Sequence, residues 1–426
     1  MRRSHRLGER MRFLILTQYY PPEIGAAQAR LSAFARELVN AGHEVEVVTA
    51  LPNYPSGRLT PNDRFRPARS ERIEGIPVRR IWLLTGTGAG AKRLASYLSF
   101  TATGFVGAVA AERPDVVFTE SPPLFLGLSG LMAARRWGAA FILNVSDLWP
   151  DSIRDLGLMG DGMALSAAGW LERWLYRRAT AVTAVTEGIR ARLIKAKGVP
   201  RRQVLFLPNG ADLRSFRPMP DDGGLRREIK HPKGPIVLFT GNHGYAQSLE
   251  TVVTAAMHVP EANFVFVGGG SDKARIQSLA RDLGATNVRF LEPVPLDGIA
   301  PLYGASIAGL ATLRASPLME GARPAKALAI MACGRPVLYA GSGEGAALVE
   351  GADAGIVVPP EQPLRLAEAV RELIADPIRA AEMGANGRRF VQEHLSWPAL
   401  TASWLAQLDA LLQQDRGTVD GPQRAS

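Results

Sequence analysis

Short apolar runs alternate with helix-like patterns along almost the whole chain. Arg12-Phe13-Leu14-Ile15-Leu16 reads as a buried strand. A helical pattern follows from Ala29 to Asn40, stopped by Ala41-Gly42-His43, and Val45 to Thr49 is the next strand. Strand, loop, helix and strand in that order make the βαβ unit of a parallel sheet. Further strands are predicted at Asp115–Thr119, Phe141–Val145, Ala181–Val185 and Val204–Leu207. The pattern restarts with Ile236–Thr240, Asn263–Val267, Val288–Leu291, Ile307–Thr312, Val337–Tyr339 and Gly355–Val358. Alternation of this kind in both halves predicts an α/β protein of two doubly wound, parallel-sheet domains. Between them Pro218 to Pro235 is rich in Pro, Gly and charge and reads as a linker, with the boundary near residue 215. Leu395 to Gln413, with Trp397 and Trp404, reads as a final helix.

Other segments have two readings each. Asn53 to Arg80 is loop-rich and basic, suited to acceptor or membrane contact or to a solvated insertion. Leu94 to Ala110 carries no charge and reads as a buried or interfacial helix, short of the roughly 20 residues of a membrane span. Trp170 and Trp174 share one helix face, and a packed core face is favoured over an interfacial patch.

The length suits two domains rather than one core. A single cysteine, Cys333, rules out an internal disulfide framework. The net charge of +10 favours anionic partners, and no nucleic-acid motif accompanies it. The first ten residues are basic and lack the apolar run of a signal peptide; they read as a tail or an upstream start before Met11.

Candidate chemistry sits in the loops that follow strands. Gly25 ends a loop stiffened by Pro21-Pro22. Asp147, just past a strand end, should face a cleft or cap the following helix. Glu187 opens a helix. Gly241-Asn242-His243-Gly244 leads to Gln247, and Glu292-Pro293-Val294 follows another strand. The stretch EGARPAKALAIMACGRPVL, Glu320 to Leu338, feeds a turn into a helix with Lys326 in its first turn. Unpaired N–H groups, a helix dipole and a lysine together make an anion site suited to a diphosphate.

These motifs resemble the GT-B glycosyltransferases of family 4, in the exopolysaccharide and O-antigen branch of colanic-acid fucosyltransferase-like and fucosamine-transferase-like proteins. Pro324-Ala325-Lys326 with Met331-Ala332-Cys333-Gly334-Arg335-Pro336-Val337 carries the resemblance, supported by Asp147-Leu148-Trp149-Pro150. It implies a retaining, metal-independent transferase without a cofactor. Such an enzyme moves a sugar from a UDP- or GDP-sugar to a polyprenyl-diphosphate-linked or glycan acceptor. It implies domains at 11–215 and 216–394, a crossover helix at 395–414, and disordered tails at 1–10 and 415–426. It also implies a cytoplasmic protein, peripheral on an anionic inner membrane surface. Lys326, Asp147 and Glu320 take the catalytic positions. Gly25, Gly241, Asn242, His243, Gln247, Val294, Pro324 and Lys326 line the nucleotide sugar, and Asp147 and Glu187 lie on the acceptor side. The family's second signature glutamate falls on Ala329, which cannot accept a hydrogen bond from a ribose hydroxyl. A binding protein that has lost the reaction is therefore one alternative. A sugar-nucleotide epimerase of the same fold is a weaker one.

Overall fold

The computed structural model describes residues 10–23, 25–53, 57–86, 91–151, 162–230 and 233–417. The chain divides into two compact units, one of residues 1–208 with 400–426 and one of residues 209–399. The expected tails lie largely outside the described residues.

The first unit is built on an eight-stranded sheet: β1 (Arg12–Leu16), β2 (Glu44–Ala50), β3 (Ala68–Ile73), β4 (Ile76–Ile81), β5 (Val116–Ser121), β6 (Ala140–Val145), β7 (Ala181–Ala184) and β8 (Val204–Phe206). Their order is β3-β4-β2-β1-β5-β6-β7-β8, and every pairing is parallel except β3 with β4. The helices used below are α1 (Ala26–Asn40), α2 (Ala91–Val109), α3 (Leu126–Trp137), α4 (Met163–Arg178) and α5 (Glu187–Lys195). Residues alternate across the central strands. Leu14, Leu16, Val117 and Leu143 pack in one core with Phe100 of α2 and Leu131 of α3. Phe13 and Phe118 turn to the opposite face.

The 53–80 segment holds more order than its composition suggests. It contains the antiparallel pair β3–β4, turned at Glu74-Gly75 with φ of 49° and 81°. β3 is the edge strand, and its polar, charged run ARSERI supplies none of the apolar signal by which buried strands are recognised.

The second unit holds a six-stranded, wholly parallel sheet in the order β11-β10-β9-β12-β13-β14. Its strands are β9 (Ile236–Thr240), β10 (Asn263–Val267), β11 (Val288–Leu291), β12 (Ala308–Thr312), β13 (Val337–Ala340) and β14 (Gly355–Val358). Two of its helices matter here, α6 (Ala325–Ala332) and α7 (Gly343–Gly351). The stretch expected to be a linker belongs to this unit. Its Leu225 and Ile229 are buried, so a segment polar in composition is anchored by two apolar side chains.

Helix α8 (Trp397–Gly417) closes the described chain, and from Leu400 onward it packs in the first unit. Trp404 is fully buried there, with its ring centroid 5.0 Å from Phe34, 5.6 Å from Phe118 and 6.3 Å from Phe13. Its indole N–H donates to Thr183 Oγ1 at 3.1 Å. Gln407 exchanges two hydrogen bonds with the backbone of Phe206, at 2.9 and 3.2 Å, and so occupies the open edge of β8.

Candidate active site

In the second unit the chain runs outward from β9 through β10 to β11, then returns to place β12 on the other side of β9. The direction of winding reverses between β9 and β12. Diverging loops at such a reversal open a crevice at the carboxyl ends of the strands. Four elements meet there. Phe239 comes from β9, Gln247 from the loop after it, Thr312 from the end of β12, and Lys326 from the first turn of α6. The Lys326 ammonium lies 3.9 Å from the centroid of the Phe239 ring and donates to Gln247 Oε1. Thr312 Oγ1 donates to the main-chain carbonyl of Gln247 at 2.5 Å, which ties that loop to β12.

The Lys326 residue keeps some exposed area, but its ammonium is enclosed. Burial pushes its pKa down to about 7. A charge there is poorly solvated, met by one amide oxygen and the face of one aromatic ring. An anion entering the crevice would meet a group that gains by being protonated.

The glycines near this loop are there because backbone meets backbone. Gly268, with φ of 146°, lies so near Gly241 that a Cβ would stand 2.0 Å from the Gly241 carbonyl oxygen. Gly241 has the opposite surroundings, with nothing within 4 Å of a Cβ, so its outer side is open.

His243 does not line the crevice. It is fully buried, with its ring 5.7 Å from Phe239, 6.1 Å from Phe266 and 6.3 Å from Phe290. Its backbone N–H is committed to Gly269 O at 2.8 Å, and its carbonyl accepts from Asp272 N at 2.9 Å. Burial first, then the charges of Lys273 and Lys326, hold the imidazole pKa down at about 4. The expected ligand is therefore a neutral core residue. Neither ring nitrogen has a hydrogen-bond partner among the described residues.

Asn242 is exposed beside Gly244 and Gly270. Val294 is half-buried in the turn after β11, beside Gly298. Pro324 is the N-cap of α6 in extended conformation, and its carbonyl accepts from Ala327 N at 3.1 Å. Glu320 is exposed at the end of a short helix, Pro317–Glu320. Its carbonyl oxygen would lie 2.0 Å from a Cβ on Gly343, whose φ is 72°, so the loop entering α7 is seated against it. Arg323 is mostly buried and lies 3.9 Å from Glu344 in the first turn of α7. That pairing was not legible in the sequence, since the partners sit on different elements. Ala329 is buried within α6.

The first unit has its own reversal, between β1 and β5. The polar groups at the carboxyl ends of these strands are buried. Arg30 of α1 pairs with Glu120 of β5, both side chains 5% exposed or less, and Asn144 Nδ2 donates to Glu120 Oε2 at 2.6 Å. Gly25 precedes α1 as its N-cap, with extended backbone. Asp147 is exposed two residues past the end of β6, and its carbonyl oxygen accepts from Trp149 N at 3.1 Å. The alternative expectation, that it caps a following helix, falls on residues 152–161, outside the described residues. Glu187 begins α5, where its carboxylate pairs with Arg190 at 3.0 Å, behind a Thr186 cap that accepts from Ile189 N at 3.1 Å. That is the ordinary work of an acid in a first helical turn. The tryptophan stripe divides. Trp174 packs against the core, whereas Trp170, stacked on it at 6.2 Å, is 60% exposed.

Comparison with known proteins gives these placements a family. Residues 25–210 match the model of the glycosyl transferase 4-like domain, and residues 224–390 match that of the glycosyl transferases group 1. The chain is 28% identical over 306 residues to the colanic acid biosynthesis glycosyl transferase WcaI of Escherichia coli (strain K12), covering 68% of this chain and 74% of that one. It is also 28% identical over 394 residues to a GDP-mannose-dependent alpha-(1-6)-phosphatidylinositol monomannoside mannosyltransferase of Mycolicibacterium smegmatis, covering 90% and 94% of the two chains. Among solved structures, Anabaena Alr3699/HepE in complex with UDP superposes with a TM-score of 0.71 at 17% identity, over 94% of this chain and 100% of that one. Two units of parallel sheet, each with a winding reversal, and two family models that between them span most of the chain lead to one assignment: this protein belongs to the family 4, group 1 glycosyltransferases of the GT-B fold.

Proposed function

We propose that the protein is a retaining glycosyltransferase of bacterial surface-polysaccharide synthesis. It would move a sugar from a UDP- or GDP-sugar to a lipid-linked or glycan acceptor. The observation that carries this is Lys326, poised on Phe239 and Gln247 at the β9/β12 reversal. In this reading the donor diphosphate takes the ammonium's proton-bearing face. The first-turn N–H groups of α6 and the open side of Gly241 add further donors and space. The bond between the anomeric carbon and the diphosphate oxygen breaks, and its electron pair stays on the diphosphate. The acceptor hydroxyl oxygen bonds to the same carbon on the same face, and its proton leaves to the diphosphate or to solvent. Lys326 and the helix N-terminus stabilise the charge that builds on the leaving group. No metal is needed in this scheme. The names of relatives support it: WcaI is a colanic acid enzyme, and HepE has been solved with UDP and with UDP-glucose.

The test has two arms. A thermal-shift panel of UDP-, GDP- and ADP-sugars identifies the donor, because a ligand bound only by the folded form raises its melting temperature. Lys326→Ala must then abolish that shift or the turnover. A full shift and full activity in the variant would overturn the reading.

Ala329 favours one second reading, a nucleotide-sugar-binding protein without transfer activity. Its burial makes Ala329→Glu costly, since a carboxylate would enter α6 without a known partner. The wild type therefore decides: donor binding without glycosidic product, across a panel of lipid-linked and free glycan acceptors, would favour this second reading.

A further inference from the structure

The turn that carries Gln247 is held from outside. Tyr245–Gln247 is a single 3₁₀ turn, which satisfies few of its own carbonyl groups. Donors from the exit of β12 take three of them in succession. Arg314 Nε donates to Tyr245 O at 3.2 Å, Arg314 N to Ala246 O at 2.9 Å, and Thr312 Oγ1 to Gln247 O at 2.5 Å. The Arg314 guanidinium also lies over the Tyr245 ring, with Cζ 3.9 Å from the centroid. One residue thus grips the turn by main chain, side chain and ring face.

The rest of that guanidinium faces carboxylates. Nη1 meets Glu361 Oε1 at 2.8 Å, in the turn after β14, and Nη2 meets Glu250 in the first turn of the helix Leu249–Met257. Glu250 also pairs with Arg275 at 2.9 Å, and Arg275 Nε with Asp272 at 2.6 Å. Asp272 N then returns to the carbonyl of His243 at 2.9 Å. The network closes on the loop from which it started. All three guanidinium nitrogens of Arg314 are engaged and two carboxylates already meet its charge, which are the surroundings of a clamp and not of a phosphate ligand.

We propose that Arg314 is a positioning residue for the donor site: it fixes the Tyr245–Gln247 turn so that the Gln247 amide oxygen stays on the Lys326 ammonium. That oxygen holds the charged amine at the crevice before an anion arrives. A loose turn would let the amide swing away and leave the ammonium with the Phe239 ring alone. Arginine suits the task because its planar fork meets a carbonyl and two carboxylates at once, which a lysine cannot do. The inference rests on the reading of Lys326 as the group that meets the donor diphosphate, and it adds the residue that keeps the lysine's own partner in place.

The test reads Lys326 itself. In the full-length, ligand-free protein its titration midpoint is followed by NMR of the lysine ε-methylene groups, with Lys326→Arg identifying the signal. His243, the titratable neighbour that feels the Lys326 charge, stays neutral throughout, with its pKa at about 4. Gln247→Leu should lower the midpoint by about one pH unit, because the charged form loses its amide partner. Arg314→Met should lower it too, and the double variant should go no further than Gln247→Leu alone, since Arg314 acts through that amide. Arg314→Met leaves Glu250 with Arg275 and Glu361 partly in water, so no buried carboxylate is stranded; should it still fail to fold, Arg314→Lys takes its place with the same pattern expected. At pH 8 nucleotide-sugar binding should weaken by up to about tenfold in either single variant and no more in the double. The inference is overturned if neither single variant moves the midpoint, if the two shifts add, or if Arg314→Met lowers the melting temperature and leaves the midpoint in place. The titration needs no ligand, so its outcome is separate from a wild type that binds no nucleotide sugar, which would count against the transferase reading instead.

Discussion

Lys326 is caught between two demands: its charge suits an anion, and its surroundings, while the crevice is empty, do not suit its charge. With its pKa near 7 it is mostly neutral at pH 8. A bound diphosphate favours the charged form and raises that value. Binding should therefore take up a proton above pH 7, and affinity should fall by up to about tenfold per pH unit until the raised pKa is reached. Calorimetry at pH 8 in two buffers of different ionisation enthalpy measures the uptake. Lys326→Arg should abolish it, because guanidinium stays charged, and a wild type without uptake would place the diphosphate elsewhere. The empty protein should behave in the opposite sense. Its unfolded chain holds more protons between about pH 7 and the ordinary lysine value of 10.5, so this lysine makes stability rise with pH across that window. Lys326→Ala should lower turnover about 10²- to 10³-fold, the usual loss when one donor to a leaving charge is removed. At His243, replacement by Leu should raise the melting temperature and leave nucleotide affinity within about twofold, since two unpaired buried nitrogens cost roughly 1–3 kcal/mol. Loss of nucleotide binding in that variant would return His243 to the site. The sequence shows Lys326 through its helix-start motif. It could not show Gln247 as the group that holds it, because that contact joins positions 79 residues apart. The burial of His243 was not visible either, because a glycine-flanked histidine looks like a loop residue until Phe239, Phe266 and Phe290 close around it.

Elements were legible in proportion to their burial. Strands of a parallel sheet covered on both faces read as largely apolar runs, and β1, β9 and β10 are of that kind. β3 alternates between exposed and half-buried positions, so nothing in its composition separates it from a loop. The last helix was visible by periodicity, but the job of its tryptophan was not. Trp404 fills a site lined by Phe13, Phe34 and Phe118, and truncation would leave a cavity there. Trp404→Ala should cost about 3–5 kcal/mol in denaturant unfolding. Trp397→Ala, seven residues earlier, serves as the comparison, since Trp397 is buried too but belongs to the second unit and not to that aromatic cluster. A cost below about 1 kcal/mol at Trp404 would mean that the helix does not depend on this anchor.

At the scale of the molecule, each half of the chain has its own sheet and its own reversal, and the proposed donor site belongs wholly to the second. A nucleotide sugar at a hundred times its dissociation constant should add about 2.7 kcal/mol to the unit of residues 209–399. In scanning calorimetry, a transition carried by that unit should move first; a shift confined to the other would contradict the assignment. The pause in strand pattern suggests a boundary near residue 215, and the two compact units part after residue 208. The second crossing at Leu400 depends on the groove that receives Trp404, and no local pattern announces a groove. That arrangement also sets an order of assembly. On the ribosome, residues 1–208 emerge with an aromatic slot that nothing yet fills, and about two hundred further residues must be translated before Trp404 arrives to plug it. Nascent chains stalled inside the second unit would carry that slot uncovered, an apolar surface on which a chaperone could act.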